Sequence, residues 1–163
     1  MSGRDILVKI DDGLFSYRVA GILIRDGMVL LQHPLDDPSY AFPGGHVNFG
    51  EVSHEALVRE FKEEVRADIT PIRLLWVIET FFAWGEKPCH QIGLYFLVAL
   101  SDETQIPLAG CFTMPDKAEM KISNLEFCWI PLSALDQYPV YPLGTKEKLA
   151  DLPEHIEHWV YIE

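Results

Sequence analysis

Apolar residues along most of this chain come in short runs or alternate with polar ones, the period of a strand with one face inward. Tyr17-Arg18-Val19-Ala20-Gly21-Ile22-Leu23-Ile24 is rich in branched residues and runs into Asp26-Gly27, a two-residue hairpin signal. Met28-Val29-Leu30-Leu31-Gln32-His33 reads as the returning partner. Strands are predicted over 4–10 and 15–24, a turn-rich loop over 34–38, and a short strand over 40–45 that enters a glycine loop. The segments 72–82 and 91–100 are long strands, the second so continuously apolar that it is expected to be covered on both faces. A further strand, 126–132, meets Pro131. Residues 133–135 and 145–151 suggest short C-terminal helices.

One stretch keeps a different period. Between Ser53 and Val65, Ala56, Leu57, Phe61 and Val65 form an inward stripe at helical spacing, with no Pro or Gly inside and Ser53 placed to cap the first turn. The order is strands, one strong helix, more strands, then terminal helices. That order predicts an α+β fold, a mixed sheet with helices on its faces. No repeat, low-complexity stretch or linker interrupts the chain, so residues 1–163 read as a single domain.

The outward side of that helix changes the picture. Glu60, Glu63 and Glu64 stand at i, i+3 and i+4, on one face. Like charges so spaced cost a helix a few tenths of a kcal/mol, roughly 0.2–0.5 per pair, and folding does not ask for them. A divalent cation would offset the repulsion, and carboxylates are the hard oxygen ligands that Mg²⁺ or Mn²⁺ prefers. Upstream lie Gly44-Gly45, then Glu51, then Arg59 directly before Glu60.

This spacing resembles the signature of the Nudix (MutT-like) hydrolases, Gly-x5-Glu-x7-Arg-Glu-U-x-Glu-Glu-x-Gly-U, with U a bulky aliphatic residue. Gly45, Glu51, Arg59, Glu60, Glu63 and Glu64 occupy its glycine and polar positions. Phe61 and Ala67 stand at the two U positions, and Arg66 replaces the second signature glycine, at a helix end where glycine favours a left-handed cap. The resemblance extends to the Val19–Leu31 hairpin, to Phe42-Pro43-Gly44-Gly45 and to Trp129-Ile130-Pro131-Leu132. It implies a Nudix fold, an α/β/α sandwich with a mixed central sheet, and hydrolysis of a diphosphate linkage in a nucleoside diphosphate joined to a group X. Modified nucleoside triphosphates and sugar nucleotides such as ADP-ribose are the leading substrate classes.

The resemblance also implies roles. Glu60, Glu63 and Glu64, with the Gly45 carbonyl, would hold Mg²⁺ or Mn²⁺. Glu60 is the first choice for activating water, with Glu103, Glu119 and Glu126 considered as distant bases. Arg59 would position the glutamates, with Glu51 as its partner. Gly44 and Gly45 would let the backbone approach metal and diphosphate. Arg25, Arg18 and Lys121 are candidate phosphate contacts, and His46 another. Trp76, Phe81, Phe82, Trp84, Tyr95 and Phe112 are candidates for stacking on a base, although aromatics at strand spacing usually pack in a core. Two rival readings use the same motif: a non-catalytic effector-binding module, disfavoured because every box carboxylate is kept, and an isopentenyl-diphosphate isomerase-like enzyme, disfavoured because no cysteine sits suitably for it.

Bulk properties narrow the partners. A net charge of −12 with 25 acids argues against a nucleic acid polymer or an anionic membrane, while leaving a phosphate-bearing small molecule open through local cations. No apolar run reaches membrane-span length. Cys89, Cys111 and Cys128 are an odd number without paired spacing, so no disulfide framework is expected and a reducing cytoplasm is the natural compartment. A homodimer, common in the family, would suit the aromatics of 76–84.

Overall fold

The computed structural model describes residues 3–114 and 125–163. Its centre is a long strand pair built from the most apolar segments. Strand β2 (Gly13–Arg25) pairs in parallel with β7 (Lys87–Leu100), Leu14 opposite Cys89 through Leu23 opposite Val98. β7 is flanked on its other side by antiparallel β6 (Ile69–Trp84), so it lies between two strands. No residue from Gln91 to Leu100 is exposed, as the nearly continuous apolar run there predicts.

Shorter strands extend this centre. β1 (Leu7–Ile10) and β5 (Gly44–His46) both run antiparallel to β2. β3 (Met28–Pro34) returns from β2 through the Asp26-Gly27 turn, where both residues have positive φ, and pairs with β4 (Tyr40–Ala41) and β9 (Leu125–Pro131). β8 (Cys111–Thr113) lies against β9, and β10 (Val140–Tyr141) against β4. β11 (Glu157–Ile162) was not anticipated. It pairs in parallel with β6 at the sheet edge, and its alternation of half-buried and exposed residues gives only a weak sequence signal.

The sheet divides the core in two. On one side Val19, Leu23 and Leu30 pack with Ala56, Leu57, Phe61 and Val65 of the helix. On the other, Ile22, Val29 and Leu31 pack with Trp76, Leu135 and Leu149. Adjacent strand residues thus serve opposite faces. Leu135 and Leu149 belong to short terminal turns, a 3₁₀ segment Leu132–Gln137 and α2 (Thr145–Lys148). The result is a mixed sheet with helices on its faces.

Helix α1 (Ser53–Glu60) continues as a wider turn over Phe61–Val65, with Ala67 N–H donating back to the Phe61 carbonyl at 3.3 Å. Ser53 is the first helical residue rather than the cap. The cap position falls on Val52, with no side-chain capping bond. Phe61 seats the helix on the sheet above Gly21, where an added Cβ would come within 2.6 Å of its ring.

Two expectations change. Cys111 and Cys128 face each other across β8 and β9 and are joined as a disulfide, leaving Cys89 free and buried. Their 17-residue separation conceals a direct cross-strand opposition. Arg66, in place of the signature glycine, ends the helix in the left-handed conformation itself, with φ 62° and ψ 33°. The exit survives the substitution because backbone geometry, not the glycine, sets it, at the modest cost an unbranched residue bears there. Arg66→Gly is therefore expected to keep the fold within about 1 kcal/mol, whereas β-branched Arg66→Val loses roughly 1–2 kcal/mol more. Urea melts of the two variants check the difference.

Candidate active site

Arg59 organises the site. It leaves α1 one residue before Glu60 and reaches the loop beyond β5. Its Nε donates to Glu51 Oε1 at 2.7 Å and one terminal nitrogen to Glu51 Oε2 at 3.0 Å, a fork matched to a fork. The same terminal nitrogen donates to the His46 carbonyl at 3.0 Å. The other donates to Glu60 Oε1 at 2.8 Å and Glu63 Oε2 at 3.3 Å. Glu51 in turn accepts the Asn48 N–H at 2.9 Å. Hydrogen bonds from Arg59 hold the Glu51 carboxyl below its ordinary range, and the Arg59 guanidinium is stabilised as a cation by its Glu51 hydrogen bonds.

The glycine loop closes on this cluster. β5 aligns Gly44 with Ala20, Gly45 with Val19 and His46 with Arg18. A Cβ on Gly45 would fall on the Glu60 carboxylate, and one on Gly44 would fall on the Val19 carbonyl. The two glycines are required by these approaches and not by a turn. Asp5, Arg18, Gly44, Gly45, His46, Glu60 and Glu64 border a cleft of about 340 Å³.

Charge in the cleft is poorly solvated. Glu60 is only 8% exposed, and burial raises its carboxyl above the ordinary value, with Arg59 opposing. Burial first, then the neighbouring Glu60 charge, pushes Glu64 up to about 7. Arg18 lowers both, and its side chain makes no hydrogen bond or ion pair among the described residues. Two raised, inward carboxyls beside a backbone carbonyl are a donor set that a hard divalent cation fits. Glu63 stands at the rim, its side chain 61% exposed.

The other candidates lie apart. Arg25 is tied to Glu103 and Asp26 at the β2–β3 turn and does not border the cleft. Glu103 is engaged there too. Glu126 Oε1 accepts from His33 Nε2 at 3.0 Å, and with Cys128 these groups converge within 4.8 Å, but the Cys128 sulfur is already bonded to Cys111. Glu119 and Lys121 lie outside the described residues. His46 contacts Ser16 Oγ at 3.0 Å, and burial lowers its pKa. Trp76 is core, Phe112 stacks on Phe127, Phe81 stacks on His90, and exposed Trp84 lies beside Phe82. Phe82 and Tyr95 line a second cavity that adjoins the cleft through Arg18 and Gln32. Nothing in the spacing of Gln32 marks it beforehand.

A model of the NUDIX domain family matches residues 16–152. Over 85 residues the chain is 29% identical to YjhB of Bacillus subtilis (strain 168), a protein named as a candidate ADP-ribose pyrophosphatase. That match covers 52% of this chain and 41% of the relative, so the chain spans less than half of the curated relative's length. An ADP-ribose pyrophosphatase crystal structure from Streptococcus suis 89-1591 superposes with a TM-score of 0.57 at 18% identity, covering 89% of this chain and 98% of that one. A mutator MutT protein from Bacillus halodurans gives 0.59 at 16% identity, covering 90% and 89%. At these identities the structures establish a shared fold.

Removal of Arg59 leaves Glu51 and the buried Glu60 without their cation. Arg59→Ala is expected to cost about 2–4 kcal/mol in urea unfolding. Arg59→Lys recovers only part of that, since an ammonium cannot reproduce the fork.

Proposed function

The chain belongs to the Nudix family, and from that premise we propose that it is a divalent-cation-dependent hydrolase of the diphosphate linkage in a nucleoside diphosphate derivative. The observation that carries this reading is the carboxyl pair of buried Glu60 and half-buried Glu64, brought beside Gly45 in a cleft that also holds Arg18.

Glu60, Glu64 and the Gly45 carbonyl would hold Mg²⁺ or Mn²⁺, with Glu63 at the rim acting through water. The cation, when bound, supplies Lewis-acid polarisation of phosphoryl oxygens and a more acidic water. The chain's own groups do the rest. Arg59 fixes the Glu60 carboxylate from one side, so one of its oxygens is committed to the guanidinium and the other is left toward the cleft. Glu60 is the group proposed to take the proton from the attacking water. Arg18, whose side chain has no competing partner among the described residues, would face the diphosphate and neutralise its charge. Gly45 leaves the room that the Glu60 carboxylate needs beside the cleft, and Gly44 lets β5 lie close on β2.

The effector-binding alternative has less support, because the chain keeps every carboxylate of the box, and Glu60 and Glu64 border one cleft. No helix among the described residues is long and apolar enough to cross a membrane. A cytoplasmic setting is part of the same proposal and rests on where nucleotides are handled, since the Cys111–Cys128 bond removes the argument from unpaired cysteines.

The test is release of phosphate or pyrophosphate from a panel of nucleoside triphosphates, modified nucleoside triphosphates and sugar nucleotides including ADP-ribose. Turnover is expected with Mg²⁺ or Mn²⁺ and not with EDTA. Glu60→Gln is expected to fold and to lower kcat by about 100-fold or more. Metal-independent turnover, or full activity in that variant, would exclude the assignment.

A further inference from the structure

Strand pairing gathers four metal-ligating side chains on one face of the sheet. Cys111 stands directly opposite Cys128 across β8 and β9, and His33 directly opposite Glu126 across β3 and β9. Residues paired in this way project to the same side, and so do Glu126 and Cys128, two apart on β9. Phe127, between them, points the other way, into the core that holds Phe61 of the helix. The cluster and the helix that carries Glu60 therefore lie on opposite faces.

The ligating atoms converge as well as the side chains. His33 Nε2 lies 3.0 Å from Glu126 Oε1, and Cys128 Sγ lies 3.6 Å from the same oxygen. All three atoms fall within 4.8 Å of one another, and the Cys111 sulfur is bonded to that of Cys128. A tetrahedral zinc ion, with bonds of about 2.0–2.3 Å to N, O and S, holds neighbouring ligand atoms roughly 3.3–3.8 Å apart. Two sulfurs, an imidazole nitrogen and a carboxylate oxygen are a set that suits Zn²⁺ and not Mg²⁺.

His33 is oriented as a metal ligand is. Its Nδ1 stands 2.7 Å from the Pro34 carbonyl and 3.0 Å from the Asp37 carbonyl. Carbonyls only accept, so Nδ1 carries a proton and Nε2 is the atom aimed at the cluster. A proton now bridges Nε2 and Glu126, and a cation would take its place. The His33 side chain is 12% exposed and Cys128 1%, so the cluster is enclosed, while exposed Cys111 leaves a way in.

The Cys111–Cys128 bond withholds the two sulfurs. Where thiols are kept reduced, cysteines brought together serve metals more often than disulfides. We propose that Cys111, Cys128, His33 and Glu126 form a structural Zn²⁺ site in the reduced chain, and that the disulfide is its oxidised, metal-free form. A dithiol gives two electrons and two protons to the bond and itself becomes a disulfide. The two thiols then lose their protons to solvent as Zn²⁺ binds. Both states tie β8 to β9, and the metal adds β3 through His33. Four protein ligands leave no open position, so the ion holds strands together and takes no substrate.

The full chain is titrated with Co²⁺, a spectroscopic substitute for zinc, in excess Mg²⁺ to compete for the carboxylate cleft but not for thiolates. One sample is reduced with a phosphine and the other is left oxidised. The reduced chain is expected to show the visible bands of a tetrahedral ion and near-ultraviolet thiolate-to-metal charge transfer, both abolished by Zn²⁺. The oxidised chain is expected to show neither. Cys111→Ser is expected to lose about half of the charge transfer. His33→Gln is expected to keep it while binding metal about 100-fold more weakly. Cys89→Ser, on β7, is expected to change neither signal. Absence of thiolate charge transfer in the reduced wild-type chain overturns the proposal, whatever the variants do. Undiminished affinity in both Cys111→Ser and His33→Gln also overturns it, leaving adventitious binding. The readout does not involve turnover and is independent of the hydrolase reading.

Discussion

One guanidinium holds the site together. Arg59 has five N–H donors and makes five hydrogen bonds, to Glu51 twice, to Glu60, to Glu63 and to the His46 carbonyl. The helix, the loop before it and the end of β5 are thereby tied at one point. The bonds matter because of what they restrain. Glu60 is buried beside Glu64 in a structure where both carboxyls are lifted by burial. Without a fixed cation at their flank, two such groups would favour turning toward water. A surface pair is worth little, but a saturated fork at partly buried carboxylates defines geometry as well as energy.

The same point is fixed from the opposite side by close packing. Gly45 leaves its Cβ space to the Glu60 carboxylate, and Gly21 leaves its own to the Phe61 ring. These two contacts set the height of the helix above β2 at adjacent helix residues. The widened turn at Phe61–Val65 follows directly after. It carries Glu63 and Glu64 onward while Phe61 and Val65 stay in the core. Fold and chemistry are therefore not separable here. The strand that builds the core also carries Arg18 to the cleft, and the residue that anchors the helix is next to Glu60.

Much of this was legible because it is local. The helical stripe Ala56, Leu57, Phe61 and Val65, the Asp26-Gly27 hairpin and the covered 91–100 strand are each written in consecutive residues, and the rigid spacing of Glu51, Arg59, Glu60 and Glu64 encodes one helix face and its anchor. What escaped notice depends on distant pairing. β11 is a half-exposed edge strand with little apolar periodicity, visible only through its partner β6. Cys111 and Cys128 meet because β8 lies on β9, which no spacing rule conveys. Arg25 looked as suitable for phosphate as Arg18, but Glu103 lies across from the first and no acid within ion-pair distance among the described residues holds the second. Arg66 shows the converse. A signature glycine marks the conformation it favours, and the conformation persists when the glycine is gone.

The division of labour between the two cavities follows from dielectric and charge. An acidic chain gains nothing from broad attraction of anions, so any anionic ligand must be held by few, well-placed groups. In the cleft Arg18 is such a group, with no acid within ion-pair distance among the described residues. Discrimination needs a dry surface with unpaired hydrogen-bonding atoms, where a wrong partner leaves a buried group unsatisfied. Gln32 and Thr80 are buried in the wall of the aromatic cavity, while Glu60 and Glu64 border the polar cleft. Arg18, which alternation along β2 places on the face opposite Val19, borders both. A single strand position thus borders both spaces, and a change in the β2 register would shift it against both.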